Sequence, residues 1–189
     1  TPTRTSAQAL TRDTRLPSAA LRADLAVLRR AYTALHPGLY RYASPEQVEA
    51  RFDSVDRYFA GDRTLGQAFL ALTRLTASIR CGHSYPNFWN QPGRIATALF
   101  EGRDKLPLEF AWIDRRMVVL RDVSDQPRLE RGTEVLSING VSATAVLDSL
   151  LPLARADGGN DAKRVAYLDV RTPDKYHAFD VLYPLVFPT

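Results

Sequence analysis

Residues 64–85 read TLGQAFLALTRLTASIRCGHSY, and the pattern changes once inside that stretch. Leu65, Phe69, Leu72, Leu75 and Ile79 recur at three- and four-residue spacing, which makes one apolar face of a helix. Thr64 followed by Gln67 is a capping box that starts the helix, and Gly82 closes it. Beyond Gly82 the apolar residues come in short runs separated by turn residues, the grammar of strands. The change predicts an α+β chain: helices before Gly82, strands after it.

Working outward toward the N-terminus, Leu21, Leu25, Leu28, Tyr32 and Leu35 form a second stripe at helical spacing, ended by His36-Pro37-Gly38. Ser44-Pro45-Glu46-Gln47 opens another helix, with Ser44 as cap, proline at the first position and Gln47 completing the box. Val48, Phe52, Val55 and Phe59 supply its core face, and Gly61 stops it. Residues 17–95 therefore read as a small helical subdomain of three amphipathic helices. Residues 1–16 are polar and aperiodic, a poorly ordered lead-in.

Toward the C-terminus, residues 96–189 read as a β-rich domain with one main helix. Leu106–Phe110 and Met117–Leu120 are short apolar strands flanking Asp114-Arg115-Arg116. Thr133–Ile138 alternates as a strand with Leu136 in its core, and ends at Asn139-Gly140. Ser142 caps a helix whose Val146, Leu147, Leu150 and Leu151 face inward. Asp157-Gly158-Gly159-Asn160-Asp161 is a loop without the ligand order of an EF-hand, and Val165–Val170 and Phe179–Tyr183 complete the strands. The apolar end at Tyr183–Thr189 reads as a cut before a further domain, and the start at Thr1 without methionine as the loss of either an export signal or a longer precursor; an exported or periplasmic bacterial location is favoured over a cytoplasmic one.

Composition narrows the function. The chain has 189 residues, 45% hydrophobic and 24% charged, a globular balance that excludes collagen, coiled coil and low-complexity disorder. Cys81 is the single cysteine, so no internal disulfide can form. The net charge of +4 is nearly all arginine, densest before Arg30; elsewhere arginines sit beside acids, as in Arg51-Phe52-Asp53. That pattern is an ordinary surface and no nucleic-acid partner is expected. No apolar run reaches the ~20 residues of a transmembrane segment.

The residue that stands out chemically is His83, directly after the helix-ending Gly82. An imidazole at an exposed helix exit, with an unperturbed pKa of about 6.5, suits proton transfer near neutrality. Cys81, two residues earlier, invites a cysteine–histidine nucleophile reading, but no third orienting group or oxyanion turn is apparent. The expectation is a small buried cysteine. His36, His83 and His177 lack metal-ligand spacing, so neither a metal nor a cofactor is expected. His36 reads as a helix terminator, His177 as a solvent-facing strand residue, and Trp89 and Trp112 as packing residues.

Two resemblances add to this. Leu129–Gly140, LERGTEVLSING, resembles the PDZ-domain segment L-x-x-G-D-x-I-L-x-I-N-G, with Thr133 at the aspartate position. A PDZ-like domain implies an extended peptide added as a strand beside the following helix. The order Leu35-His36-Pro37-Gly38-Leu39-Tyr40, two capped helices, Gly82-His83-Ser84-Tyr85 and then the PDZ-like unit resembles the front half of the tail-specific, tricorn-core type of serine peptidase over most of residues 20–189. That resemblance implies peptide-bond hydrolysis through an acyl-enzyme, with a peptide or unfolded protein as substrate. It implies His83 as general base in the tricorn-like branch, and no catalytic role for it in the serine–lysine branch. Ser84 follows the histidine, whereas the tricorn pattern has a serine before it. The nucleophilic serine is expected in a downstream α/β catalytic domain of the same polypeptide, so residues 1–189 alone are expected to be inactive. The alternative reading is a non-catalytic PDZ-like peptide-binding or scaffold module.

Overall fold

The computed structural model describes residues 9–172 and 174–188. Three helices come first: α1 (Ser18–Leu35), α2 (Pro45–Tyr58) and α3 (Leu65–Ser78). Their starts are local in origin. Ser44 Oγ accepts the Gln47 amide and the Gln47 side chain accepts the Ser44 amide, and Thr64 and Gln67 repeat this at α3. Each box satisfies two amides that a helix N-terminus would otherwise leave without partners. Leu21, Leu25, Val48, Phe52, Phe59, Ala68, Leu75 and Ile79 pack into one buried cluster. Leu35, expected on that face, is instead 78% exposed at the last turn of α1.

Residues 9–16 of the expected lead-in are tied down, while residues 1–8 lie outside the described residues. Strand β1 (Arg15–Leu16) pairs antiparallel with β2 (Arg63–Thr64), and the Leu65 and Gly66 amides donate to the Thr14 and Arg12 carbonyls. A Cβ at position 66 would stand 3.4 Å from the Arg12 carbonyl and 3.3 Å from Leu185, so glycine admits the strap.

After a helical turn at Phe88–Asn90 and α4 (Gly93–Phe100), β3 (Leu108–Ile113) and β4 (Arg116–Asp122) form a hairpin. Its turn places Asp114 and Arg115 at φ 49° and 64°, the positive pair a tight hairpin needs. The expected strand Thr133–Ile138 is split: β5 (Glu134–Val135) joins β4, while β6 (Ser137–Ile138) pairs with β7 (Val141–Ser142) across Asn139-Gly140. Leu136, between them, gives its carbonyl to Ala143 and leaves its side chain 73% exposed, not in the core. Helix α5 (Ala143–Leu150) starts on the Ser142 hydroxyl and buries Val146, Leu147 and Leu150.

Two expected strands are helices: α6 (Asp161–Tyr167) and α7 (Ala178–Val186). Asn160 caps α6 by accepting the Lys163 amide, and Asp161 sits where the helix dipole favours an acid. Ala178, Phe179, Val181, Leu182, Tyr183 and Pro184 are all buried, and a short run broken only by the half-buried Asp180 has no period to separate helix from strand. Of the expected strand 165–170, Val170 alone pairs, exchanging both backbone hydrogen bonds with Phe110. The architecture is α+β with small antiparallel sheets.

A second buried cluster gathers Phe88, Phe100, Phe110, Met117, Leu147, Leu150, Leu168, Phe179 and Leu182, together with Leu65 and Phe69 of α3. Helix α3 thus serves both clusters, facing the helical one with Ala68 and Leu75 and, at its C-cap, Ile79. Among the described residues no helix is long and apolar enough to cross a membrane.

Candidate functional site

Helix α3 ends in a turn that a distant loop holds by its backbone. Arg80, not a glycine, takes the left-handed conformation there, with φ 60°. Its carbonyl accepts the Gly158 amide at 2.9 Å. The Gly82 amide donates to Asp157 Oδ1 at 2.7 Å, and Arg155 donates to the Gly82 carbonyl at 2.9 Å. The Arg155 guanidinium also lies 3.4 Å from the centroid of the Tyr85 ring. A Cβ on Gly82 would fall 2.9 Å from Asp157 Oδ2, so the close approach of the two segments depends on glycine at that position.

His83 emerges exposed from this clamped turn. Its imidazole, the Cys81 thiol and the Asp157 carboxylate present atoms that all lie within 4.8 Å of one another. Cys81 is half-buried, and Asp157 is exposed. The Gly82 amide holds the Asp157 carboxyl below its usual range, helped by the charges of Lys163, His83 and Arg41 and opposed by partial desolvation. The Lys163 ammonium lies 3.9 Å from Asp157 Oδ2. A carboxylate fixed beside an imidazole can select its tautomer and stabilise its protonated form.

The cluster stands at the edge of a cleft of about 1200 Å³. One wall is the end of α1 with the 36–42 loop; the other is the 80–85 turn with Asp157. Tyr40 and Tyr42 are 44% and 43% exposed along it, beside Leu35. A smaller hollow of about 240 Å³ is lined by His83 with Gly82, Arg155, Asp157, Lys163 and Tyr167.

His36 occupies the opposite wall and is already spent. Its Nδ1 accepts the Gly38 amide at 3.2 Å and its Nε2 lies 2.9 Å from Ser84 Oγ. With Nδ1 accepting, the neutral ring carries its proton on Nε2 and donates it to Ser84. A ring in that tautomer cannot take the serine's proton. Ser84 is therefore a buried hydrogen-bond partner, 6% exposed, and not a nucleophile activated by His36. Tyr32 stacks on His36 with ring centroids 5.4 Å apart, and burial pushes its hydroxyl up.

The remaining candidates lie away from the cleft. His177 is half-buried at the start of α7, not in a strand, and its Nε2 lies 2.6 Å from the Thr172 carbonyl. Trp112 is buried and donates to the Leu168 carbonyl, while Trp89 is 57% exposed with its edge against Tyr176. Asp157 is the residue sequence reasoning missed, and it is the third group absent from the Cys81–His83 pair. Its loop is legible as a loop, but the contact it makes with Gly82 spans 75 residues and leaves no periodic trace. No protein-family model, curated protein or solved structure matches this chain.

Proposed function

We propose that this chain is the N-terminal portion of a serine peptidase of the tail-specific, tricorn-core type, in which His83 is the general base and Asp157 its orienting carboxylate. The observation that carries this reading is the exposed His83 at the mouth of a peptide-sized cleft, with Asp157 within 4.8 Å. The nucleophilic serine comes from a downstream domain. In the first half-reaction its oxygen bonds to the scissile carbonyl carbon, and His83 takes the hydroxyl proton and passes it to the leaving amine. Water then attacks the acyl-enzyme, gives its proton to His83 and releases the acid, and His83 returns that proton to the serine.

The test is His83→Gln in the full-length protein. The expected result is a fall in kcat of at least ~10²-fold with KM and melting temperature unchanged, since a positioned base contributes about 10²–10⁴. A near-wild-type rate overturns the role of His83 and leaves a serine–lysine mechanism. Residues 1–189 alone, incubated with an unfolded protein, are expected to give no fragments. A second reading rests on Cys81 lying in the same cluster: cleavage by residues 1–189 that stops when Cys81 is alkylated would establish a thiol nucleophile instead. An intact protein that binds peptides and cleaves none would be the PDZ-like binding module.

A further inference from the structure

We propose that Cys81, His83 and Asp157 form a binding site for a single zinc-type divalent cation. Three donors of different chemistry converge from two segments of the chain: a thiol sulfur, an imidazole nitrogen and a carboxylate oxygen, all within 4.8 Å of one another. Zinc bonds of about 2.0–2.3 Å in a tetrahedron put the ligand atoms roughly 3.3–3.7 Å apart. The closure needed is on the order of 1 Å, and the exposed His83 side chain has room to make it.

The donor set selects the ion. A thiolate with an imidazole favours zinc or a later first-row ion, while calcium and magnesium call for six or more oxygens or for ordered water. The surroundings are those of a ligand held in place. The Gly82 amide fixes Asp157 through Oδ1 at 2.7 Å and leaves Oδ2 for a cation. The Gly158–Arg80 hydrogen bond joins the two backbones, and the Arg155 guanidinium holds the Gly82 carbonyl. Such outer hydrogen bonds are what orient metal ligands elsewhere. Lys163, 3.9 Å from Asp157 Oδ2 and itself exposed, is the cation that the metal would displace. Three protein ligands leave a fourth position for water or for a substrate oxygen.

The site stands independently of the peptidase reading, because all three donors belong to this chain. If His83 also serves as a base, a bound cation occupies the lone pair that would accept the proton, and zinc becomes an off switch.

Reduced residues 1–189 are dialysed against zinc chloride, and cobalt(II) is used as a spectroscopic stand-in. The expected result is one zinc per chain and a cobalt spectrum with a thiolate charge-transfer band. Cys81→Ser removes that band. Asp157→Asn, whose amide oxygen can still accept from Gly82, weakens zinc binding at least ~10-fold, the scale seen even for outer-shell losses. Circular dichroism checks that both variants are folded. Absence of saturable zinc binding by the wild-type chain overturns the site. So does a cobalt complex without the thiolate band, or unchanged zinc affinity in folded Asp157→Asn.

Discussion

Two histidines line one cleft, and the chain treats them oppositely. His36 has both ring nitrogens engaged, one by the Gly38 amide and one by the buried Ser84 hydroxyl, with Tyr32 stacked on its face. His83 stands exposed on a turn that Gly158, Asp157 and Arg155 clamp through the backbone of Arg80 and Gly82, not through the ring. A ring with both nitrogens occupied holds structure together. A ring whose support comes from its neighbours is left available for ligands and protons. The residue type is the same; what differs is how much hydrogen-bonding capacity the fold has already consumed.

That contrast can be broken by stability measurements. His36→Ala leaves the Gly38 amide and the buried Ser84 hydroxyl without their partner, and should cost ~1–3 kcal/mol in denaturant unfolding. A loss under about 0.5 kcal/mol would mean that water replaces the ring and that His36 is as available as His83. His83→Ala should change stability by no more than about 0.5 kcal/mol, the usual surface range. A larger loss would place His83 among the structural residues and weaken both proposals built on it. Smallest of all should be Leu136→Ala, also below about 0.5 kcal/mol, because that side chain is 73% exposed. A cost of ~2–5 kcal/mol, the range for a buried leucine, would restore a continuous strand through residue 136.

Legibility in the sequence followed the range of the interactions. The capping boxes at Ser44 and Thr64 are contacts between residues three apart, and both helix starts lie where those boxes predict them. The stripe on α2 and the Asn139-Gly140 turn were equally local and equally visible. The errors came where a distant partner decides the outcome. Six of the seven residues 178–184 are buried and only Asp180 is half-exposed, so the pattern holds no period that separates the α7 helix from the expected strand. Residues 9–16 looked loose because their partner is the backbone around Gly66. At the site, His83 was legible from its position after Gly82, and Asp157 was not, since only the closed loop brings it there. Ser84 was visible as a neighbour of His83, but its bond to His36 spans 48 residues.

The double duty of α3 bears on how the molecule comes apart. Leu65 and Phe69 point into one cluster while Ala68 and Leu75 point into the other, so the helix is a party wall shared by two rooms. Neither room can open without stripping one side of that wall. The two halves should therefore lose structure in a single cooperative step, and spectroscopic probes placed in each should report coincident melting curves. A cut at residue 95 would strip Phe100 and most of the second cluster from the Leu65 and Phe69 side of α3, leaving Phe88 there. The histidine turn at its end would then hang from a helix that has lost half its support.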